Sequence, residues 1–260
     1  MNSTFVSSAD GTRIHAVVHG EGARDVLVLG GLAEHAGRYT HVAAAFASRG
    51  VRTTIIELRG HGNSAGVRSH VMAWAEYVAD LNAVARTLRP GWSLLAHSMG
   101  GLVALDAVRE GLAPARLALS NPLCGVRMKV PAWKSAVGRS LSRIWPTLAL
   151  ANDLDPAHLS RDLAVGTAYL ADPNVYPRVT ARWFTEMTAA QHRVAAMTAP
   201  SCPVRFFLSD SDPITDAVAA RAVAARIGAE VQAYPGMLHE LVNELGEEQV
   251  ITELGDWLLG

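Results

Sequence analysis

The sequence predicts an α/β fold in which a mostly parallel sheet of about eight strands is flanked by helices and interrupted by one helical insertion. Short β runs alternate with helical segments through the first half of the chain and again near its end. Between them, residues 121–198 have helical periodicity and prolines but no convincing strand. The chain has 260 residues, half of them hydrophobic, which suits one core carrying an insertion better than two independent domains.

Eight short runs of apolar and β-branched residues, bounded by turn residues, predict the strands. The pair Asp10-Gly11 joins the first two runs as a hairpin, and Gly30-Gly31 ends the third. The predicted strands are 4–7, 13–18, 25–29, 52–56, 92–95, 116–120, 204–208 and 230–234.

Helical periodicity and glycine C-caps predict the helices that connect these strands. The predicted core helices are 40–48, 72–88, 99–110, 215–227 and 247–259. The core is therefore expected to comprise residues 1–120 and 199–260. The remaining segment, 121–198, is expected to form a helical cap over the carboxyl edge of the sheet, where ligands bind in such folds.

Composition and charge argue against several classes of function. The formal net charge of −1 gives no reason to expect a nucleic acid as partner. The N-terminus lacks the basic start and apolar core of a signal peptide, and no stretch reaches the ~18 apolar residues of a membrane span. Two cysteines, Cys124 and Cys202, do not make a disulfide framework, so a reducing cytoplasm is the expected compartment.

The segment Ala96-His97-Ser98-Met99-Gly100 is a variant of the G-x-S-x-G motif, which places a nucleophilic serine on a sharp turn. A predicted strand precedes the segment and a predicted helix follows it, as the motif requires. Strand and helix cross closely at such a turn, so the flanking residues must be small, as Ala96 and Gly100 are. The pattern favours Ser98 as a nucleophile over a serine that only caps the helix.

A serine hydroxyl needs a base near neutral pH, and the base needs an acid to orient it. Two predicted strands after the insertion end in loops that carry such groups. Asp212 follows strand 204–208, and His239, alone among the ten histidines, follows strand 230–234. Asp212 is favoured over Asp210 because Pro213 fixes the turn directly after it. The chain order serine, aspartate, histidine is that of the α/β-hydrolase fold.

Acyl transfer also needs hydrogen-bond donors for the oxyanion that develops on the substrate carbonyl. The backbone N–H of Met99, directly after the nucleophile, is one expected donor. The other is expected from the loop after strand 25–29, where Gly30-Gly31 precedes Leu32 and its N–H. An ordinary tight turn is the alternative for the glycine pair. The histidines outside these turns do not have metal-ligand spacing, so no metal site is expected.

Several segments together resemble the monoacylglycerol lipase and lysophospholipase branch of the α/β-hydrolase superfamily. Residues 30–39, GGLAEHAGRY, are similar to its H-G-x-G-E-H-x-x-R-Y signature. The other similar segments are 59–64, 97–101, 211–212 and 234–239 in the core, and 154–156, Leu159-Ser160-Arg161-Asp162 and 172–184 in the cap. The resemblance covers nearly the whole chain. It implies an α/β-hydrolase core with a helical lid, no cofactor, and hydrolysis of single-chain glycerides or similar esters.

Three positions depart from the patterns of that branch. Gly30 stands where the branch has a histidine, Ala33 replaces the second glycine of the oxyanion loop, and Ala96 replaces the first glycine of the serine motif. The two alanines are expected to be sterically mild. Gly30 removes a side chain that helps to fix the oxyanion loop, so we expect its effect to fall on loop geometry and substrate preference.

The first part of the cap is basic and amphipathic. Both lysines of the chain lie here, and no acidic residue occurs between Asn121 and Ala151. Apolar residues recur at helical spacing, which predicts either contact with an anionic lipid surface or a helix that buries its apolar side on the core. The residues expected at a lipid surface are Lys129, Trp133, Lys134, Val137, Arg139 and Leu141.

Taken together, these features predict a serine carboxylester hydrolase that uses Ser98, Asp212 and His239. A different acyl substrate is the main alternative: a small ester, an amide or peptide, a thioester, or transfer to an acceptor other than water. An aminopeptidase would need acidic cap residues near the site, for which Glu186 is the candidate. A catalytically silent ligand-binding protein on the same fold is the alternative outside enzymes. The sequence leaves the oligomeric state open.

Overall fold

A computed structural model describes residues 2–127, 138 and 140–260. Ten strands lie in this described part of the chain. They are β1 (Asn2–Ser7), β2 (Arg13–His19), β3 (Arg24–Leu29), β4 (Val51–Ile56), β5 (Ser93–His97), β6 (Leu117–Ser120), β7 (Ala149–Ala151), β8 (Arg178–Thr180), β9 (Val204–Leu208) and β10 (Glu230–Ala233).

Eight of these strands form one sheet in the order β1-β2-β4-β3-β5-β6-β9-β10. The hairpin β1–β2 and the β2–β4 pair are antiparallel, and every other neighbouring pair is parallel. The predicted α/β fold, with a mostly parallel eight-stranded sheet, is confirmed. The parallel strands β3, β5, β9 and β10 all point their carboxyl ends to one edge, so the loops after them come together.

Besides the helical turn at residues 140–144, seven α-helices accompany the strands within the described residues. They are α1 (Thr40–Ala47), α2 (Ala75–Ala85), α3 (Ser98–Arg109), α4 (Leu163–Ala171), α5 (Ala181–Ala195), α6 (Ala217–Ile227) and α7 (Glu247–Leu259). Helices α1 and α7 cover one face of the sheet, while α2, α3 and α6 cover the other.

The central strands are buried on both faces, which explains their continuous apolar sequence. Successive residues of a strand point to opposite faces. In β5, Leu94 therefore packs with the α2–α3 side and Leu95 with the α1–α7 side. The loop that carries Ser98 therefore begins at the end of a fully buried strand.

The insertion between β6 and β9 is not entirely helical. Helices α4 and α5 lie in it, but β7 and β8 pair as a separate two-stranded antiparallel sheet. The expectation that residues 121–198 contain no strand is therefore wrong. Each of these strands has three residues, too few to show an alternating pattern, and they pair only because the tertiary fold brings them together.

The predicted basic amphipathic helix lies mostly outside the described residues. This applies to Lys129, Trp133, Lys134, Val137 and Arg139. Leu141 is described and is half-buried in a helical turn over residues 140–144. Across the described part of the chain, no helix combines the length and hydrophobicity needed to cross a bilayer.

Candidate active site

Ser98 lies on the sharp turn between β5 and α3. Its φ of +51° is in the left-handed region, which non-glycine residues rarely adopt. The turn is possible because the helix passes very close to the end of β3. A Cβ atom at Gly100 would lie 2.4 Å from the carbonyl oxygen of Gly30, so only glycine fits there. The same local geometry leaves the Ser98 hydroxyl at the carboxyl edge of the sheet.

The structure brings Ser98, His239 and Asp212 into one hydrogen-bonded chain. His239 Nε2 is 2.9 Å from Ser98 Oγ, and His239 Nδ1 is 2.8 Å from Asp212 Oδ2. Asp212 follows β9 and His239 follows β10, so the sheet itself sets their separation. An ionised carboxylate can only accept, so Nδ1 carries the proton and Nε2 is free to accept from the serine hydroxyl.

Asp212 is fully buried and held by its own loop. Its Oδ1 accepts from the Ile214 N–H at 2.7 Å, and its Oδ2 accepts from the Thr215 hydroxyl at 2.6 Å. Burial by itself raises the pKa of Asp212, yet the charge of His239 and these hydrogen bonds keep that pKa below its usual value. Asp210, the alternative acid, pairs with Arg221 on the surface instead.

The electrostatic setting of His239 suits a general base. Burial acts to lower the pKa of His239, but the charge and hydrogen bond of Asp212 outweigh it and raise that pKa above 6.5. The ring of His97 lies 4.7 Å from the His239 ring. Burial lowers the pKa of His97 to about 4, so this neighbour stays neutral and does not repel a protonated His239.

The two predicted oxyanion donors flank Ser98. Met99 is the second residue of α3, where a backbone N–H has no acceptor within the helix. Leu32 lies in the loop after β3 and lines the cavity at Ser98 together with Gly31. Neither N–H finds an acceptor among the described residues. Both remain available to a bound oxyanion, and their role stays a prediction.

The two departures from the family pattern in the oxyanion loop, Gly30 and Ala33, have different steric consequences. Ala33 has a φ of +61°, so the alanine occupies a conformation that favours the glycine of the related pattern. A Cβ atom at Gly30 would lie 2.8 Å from Glu34 Oε2 and 2.9 Å from the Tyr39 ring. Here the Glu34 carboxylate accepts from the Gly31 N–H and from the Tyr39 hydroxyl. Glu34 and Tyr39 therefore support the loop. They also occupy the space that a larger side chain at residue 30 would need.

A second buried carboxylate supports this loop from behind. Glu57 follows β4 and accepts from the Ala36 N–H at 2.9 Å and from the Asn63 N–H at 2.6 Å. A Cβ atom at Gly62 would lie 2.2 Å from the Glu57 carboxyl carbon, which explains the glycine there. The turn-rich segment 59–64 is thus joined to the oxyanion loop through one side chain.

Asn121 is a site residue that sequence reasoning missed. The Asn121-Pro122 pair predicted only the end of β6, but the buried Asn121 side chain connects two functional loops. Its Oδ1 accepts from the Ser209 N–H at 2.9 Å, and its Nδ2 donates to the His239 carbonyl at 2.8 Å. The sequence offered one indication of this role. Asn121 follows β6, which lies between β5, the strand before Ser98, and β9, the strand before Asp212.

A cavity of about 630 Å³ lies between the carboxyl edge of the sheet and the insertion. Ser98, His97 and His239 lie at its base. Its walls are mostly apolar and include Leu123, Leu154, Val179, Trp183, Phe184 and Met187. This volume is within the usual range of small-molecule sites, about 300–1,000 Å³. Glu186 does not line the cavity; it accepts a hydrogen bond from the Trp74 N–H instead.

Within the described ranges, no group of three or more His, Cys, Asp or Glu side chains is arranged to hold a metal ion. The arrangement at Ser98 instead fits attack of a serine alkoxide on a carbonyl, with a base, an orienting acid and two N–H donors.

The pH dependence of serine reactivity tests the role of His239. We expect the rate of Ser98 phosphonylation by a fluorophosphonate to rise with pH through a midpoint above 6.5, because the base must be neutral and its pKa is raised. Asp212→Asn removes the charge that raises this pKa, so the midpoint should move down while the rate falls roughly 10³–10⁴-fold. A midpoint that is unchanged in Asp212→Asn would contradict this assignment.

Asn121→Asp tests the connection between the loops. Aspartate keeps an acceptor for Ser209 but turns a carboxylate oxygen toward the His239 carbonyl, so the histidine loop should shift. We expect phosphonylation of Ser98 to slow about tenfold or more, corresponding to about 1.4 kcal/mol or more of barrier. Asn82→Asp, on the half-exposed side of α2, is the matched control. Equal rates in the two variants would show that Asn121 does not position the loop.

The chain is similar to several known proteins. A monoacylglycerol lipase of Mycolicibacterium smegmatis is 34% identical over 251 residues, which cover 91% of this chain and 88% of that protein. An uncharacterized abhydrolase domain-containing protein of Dictyostelium discoideum is 28% identical over 244 residues, and the chain spans only 26% of its length. The crystal structure of a Paleococcus ferrophilus monoacylglycerol lipase shares the fold, with a TM-score of 0.84 at 24% identity over 95% of this chain and 98% of that one.

The family model described as serine aminopeptidase, S33, matches residues 21–246, which is most of the chain. This match covers the serine turn and the loops that carry Asp212 and His239. With the fold and the relatives above, it shows that the chain belongs to the serine aminopeptidase S33 family of α/β-hydrolases and is a carboxylic ester hydrolase.

Proposed function

We propose that this protein hydrolyses esters with one acyl chain on an uncharged, hydroxyl-bearing alcohol, with monoacylglycerols as the best substrates. Ser98 Oγ attacks the ester carbonyl while His239 Nε2 takes the serine proton and Asp212 stabilises the imidazolium. The Leu32 and Met99 N–H groups hold the oxyanion. The alcohol leaves with the proton from His239. Water then attacks the acyl-enzyme with His239 as base and releases the fatty acid.

The apolar cavity above Ser98 is the observation that carries this proposal. It is large enough for an alkyl chain, and most of its lining side chains, among them Val179, Phe184 and Met187, are apolar. Burial of each methylene contributes about 0.8 kcal/mol, so affinity should grow with chain length. A small-substrate esterase would not need an apolar cavity of this volume.

Polar groups in the same cavity support a hydroxylated alcohol. The Tyr169 hydroxyl and the Nδ2 atom of Asn152 are buried and lie close to each other, yet neither makes a hydrogen bond of good geometry within the described part of the chain. The Asn152 Oδ1 already accepts from the Leu154 N–H at 3.2 Å. Leaving such groups unpaired costs about 1–3 kcal/mol each. The hydroxyls of a glycerol head group would satisfy them.

The charge of the cavity favours an uncharged head group over a phosphate. Among the described lining residues, four are acidic and one, Arg127, is a guanidinium. Arg127 is already engaged, since its Nη1 donates to the Asp212 carbonyl at 2.7 Å. The acidic residues are Glu34 and Glu240, which both pair with Arg38, and Asp153 and Asp155, which have no ion-pair partner among the described residues. The negative phosphate of a lysophosphatidate would lie near these carboxylates and be repelled by them.

One observation favours a second candidate, hydrolysis of an amide next to a free amine. Asp153 and Asp155 belong to the cap and line the cavity, as acids that bind an N-terminal ammonium would have to. The Asp155 carboxylate already caps the turn at Pro156 by accepting from the Ala157 N–H. The apolar remainder of the cavity makes the ester the better fit.

Peripheral contact of the cap with an anionic lipid surface, in the cytoplasm, is part of the proposal. Several large apolar side chains of the cap are exposed without a partner in the described residues: Ile144 (83%), Trp145 (59%), Leu163 (76%) and Leu170 (74%). Leu163 and Leu170 are seven residues apart on α4 and so share one face. The basic segment with Lys129 and Lys134 adjoins Ile144 in sequence. Both cysteines are free, which fits a reducing compartment.

The substrate is tested with a matched panel in detergent-free assays, using purified protein beside Ser98→Ala. The panel holds monoacylglycerols of increasing chain length, oleoyl lysophosphatidate, triolein, p-nitrophenyl acetate and an aminoacyl p-nitroanilide. We expect Ser98-dependent hydrolysis that rises with chain length, with monooleoylglycerol at least about tenfold better than oleoyl lysophosphatidate. The Asp153→Asn/Asp155→Asn variant should reduce this discrimination and leave monooleoylglycerol hydrolysis nearly unchanged.

Other outcomes of the panel would replace the proposal. Turnover confined to the acetate would indicate a small-substrate esterase, and preference for the anilide would indicate the amide candidate. Labelling of Ser98 without turnover of any member would point to another acyl acceptor. Absence of both labelling and turnover would favour a silent ligand-binding protein.

Lipid contact is tested by sedimentation with vesicles that contain anionic phosphatidylglycerol. Ile144→Ser/Trp145→Ser should bind several-fold less well than the unmodified protein, because two exposed apolar anchors are lost. Hydrolysis of p-nitrophenyl acetate should not change. The control variant Val67→Ser/Val218→Ser replaces two similarly exposed apolar residues that lie outside the cap. It should bind like the unmodified protein. Equal loss in both variants, or loss in neither, would contradict cap-specific contact.

A further inference from the structure

One segment of the cap is hydrogen-bonded to the loop that carries His239. The segment is residues 158–162, which includes Leu159-Ser160-Arg161-Asp162, and the loop is residues 238–245, after β10. The His239 N–H donates to the His158 carbonyl at 3.4 Å, and the Glu240 N–H donates to the Leu159 carbonyl at 2.8 Å. The catalytic histidine is thus bonded through its own backbone to the cap.

Glu244 forms the centre of this connection. Its carboxylate is fully buried, although Arg161, its ionic partner, is 43% exposed. Oε1 accepts from the Leu238 N–H at 2.7 Å and from the Arg161 N–H at 3.1 Å. Oε2 accepts from Arg161 Nε at 3.0 Å and from the Leu245 N–H at 2.8 Å. Four donors, two from the loop and two from the cap, converge on one side chain.

Two further contacts extend the connection in both directions. The Ser160 hydroxyl donates to the Asn243 carbonyl at 2.9 Å, so the cap segment also contacts the turn after His239. Asp162 is the N-cap of α4 and accepts from the Ala164 N–H at 2.9 Å. Because α4 begins directly after the segment, this helix is anchored to the same loop.

We infer that Glu244 is a positioning residue for His239, acting by joining the cap segment 158–162 to the loop 238–245. The inference rests on the catalytic roles proposed above. Leu238 directly precedes His239, so the bond from Glu244 to the Leu238 N–H fixes the backbone that carries the imidazole. A misplacement of about 1 Å at such a group is enough to cost about 10²-fold in rate.

The arrangement also explains the positions of Ser160 and Arg161, two cap residues that have no part in the proposed catalysis. Arg161 and Ser160 do not line the cavity, and their hydrogen bonds go to Glu244, Leu245 and Asn243. Their position is therefore set by the histidine loop rather than by substrate. Tyr169 of α4 lines the cavity, so this part of the cavity wall is joined to the histidine loop through residues 158–162.

Glu244→Gln tests the inference while keeping the size of the side chain. The single amide oxygen of glutamine accepts from fewer of the four donors, and its NH₂ group turns toward N–H groups that it cannot satisfy. We expect kcat for p-nitrophenyl acetate to fall about tenfold or more with KM within about twofold, since the substrate contacts are intact. Arg161→Ala leaves the Leu238 bond and should have a smaller effect of the same kind.

Active-site titration separates positioning from loss of fold. In Glu244→Gln, a fluorophosphonate should still label one equivalent of Ser98 per chain, but more slowly than in the unmodified protein. A merely destabilised protein would lose equivalents and keep the rate of its folded fraction. Glu186→Gln and Arg178→Ala are matched cap controls, because neither side chain contacts the histidine loop; Arg178 donates to the Ala149 carbonyl instead. Both should behave like the unmodified protein.

The outcomes distinguish this inference from the proposed function. If the unmodified protein is not labelled at Ser98, the catalytic roles themselves fail. If it is labelled and Glu244→Gln reacts within about twofold of its rate, only the positioning role of Glu244 is overturned. A loss of labelled equivalents in Glu244→Gln with an unchanged rate would also overturn it, in favour of a role in stability.

Discussion

Strand β5 and helix α3 meet at one residue in a left-handed conformation, and the geometry of the site follows from that turn. A non-glycine residue held there costs about 1–3 kcal/mol, which the surrounding packing must offset. Met99 and Leu102 on α3 are fully buried, and Gly100 lets the helix approach the end of β3. The turn fixes Ser98 Oγ at the carboxyl edge and points the first N–H groups of α3 toward the same place. The parallel strands then bring every other functional loop to that edge.

Buried polar side chains hold these loops in register with one another. Glu57 joins the oxyanion loop to the turn after β4, and Asn121 joins the aspartate loop to the histidine loop. Glu244 extends the same principle into the cap. Each accepts or donates several backbone hydrogen bonds from different loops, so the loss of any one leaves buried groups unpaired. Hydrogen bonds of this kind provide positional precision that apolar packing alone does not.

The residues around the site come from two parts of the chain. The core supplies the serine, the histidine, the aspartate and the oxyanion loop, all at the ends of strands or in the loops that follow them. The insertion supplies most of the apolar wall and two of the acidic residues, Asp153 and Asp155. Under the proposed function, most substrate contacts come from the insertion, while the reacting groups come from the core. Hydrogen bonds join the two parts at several places, and those of residues 158–162 reach the histidine loop itself.

The fold and the residues at the centre of the site could be predicted from the sequence because both depend on local patterns. Alternating β runs and capped helices require only neighbouring residues, and the bounds of β9 and α7 match those predicted. Ser98, Asp212 and His239, which the structure brings into one hydrogen-bonded chain, could be singled out because each follows a recognisable strand. Strands β7 and β8 were not predicted, since three residues are too few to show a period.

Only the tertiary structure decided which side chains support that site. The side chains of Asn121, Glu57 and Glu244 form hydrogen bonds with residues that lie 21 to 118 positions away in the sequence, as well as with close neighbours. Local sequence does not encode such long-range pairings. The sequence likewise determined that Gly30 departs from a known pattern, but not that Glu34 and Tyr39 crowd that position. Hydrophobic periodicity records which face of an element is buried. It does not record which buried polar atoms meet, because that depends on how distant elements pack.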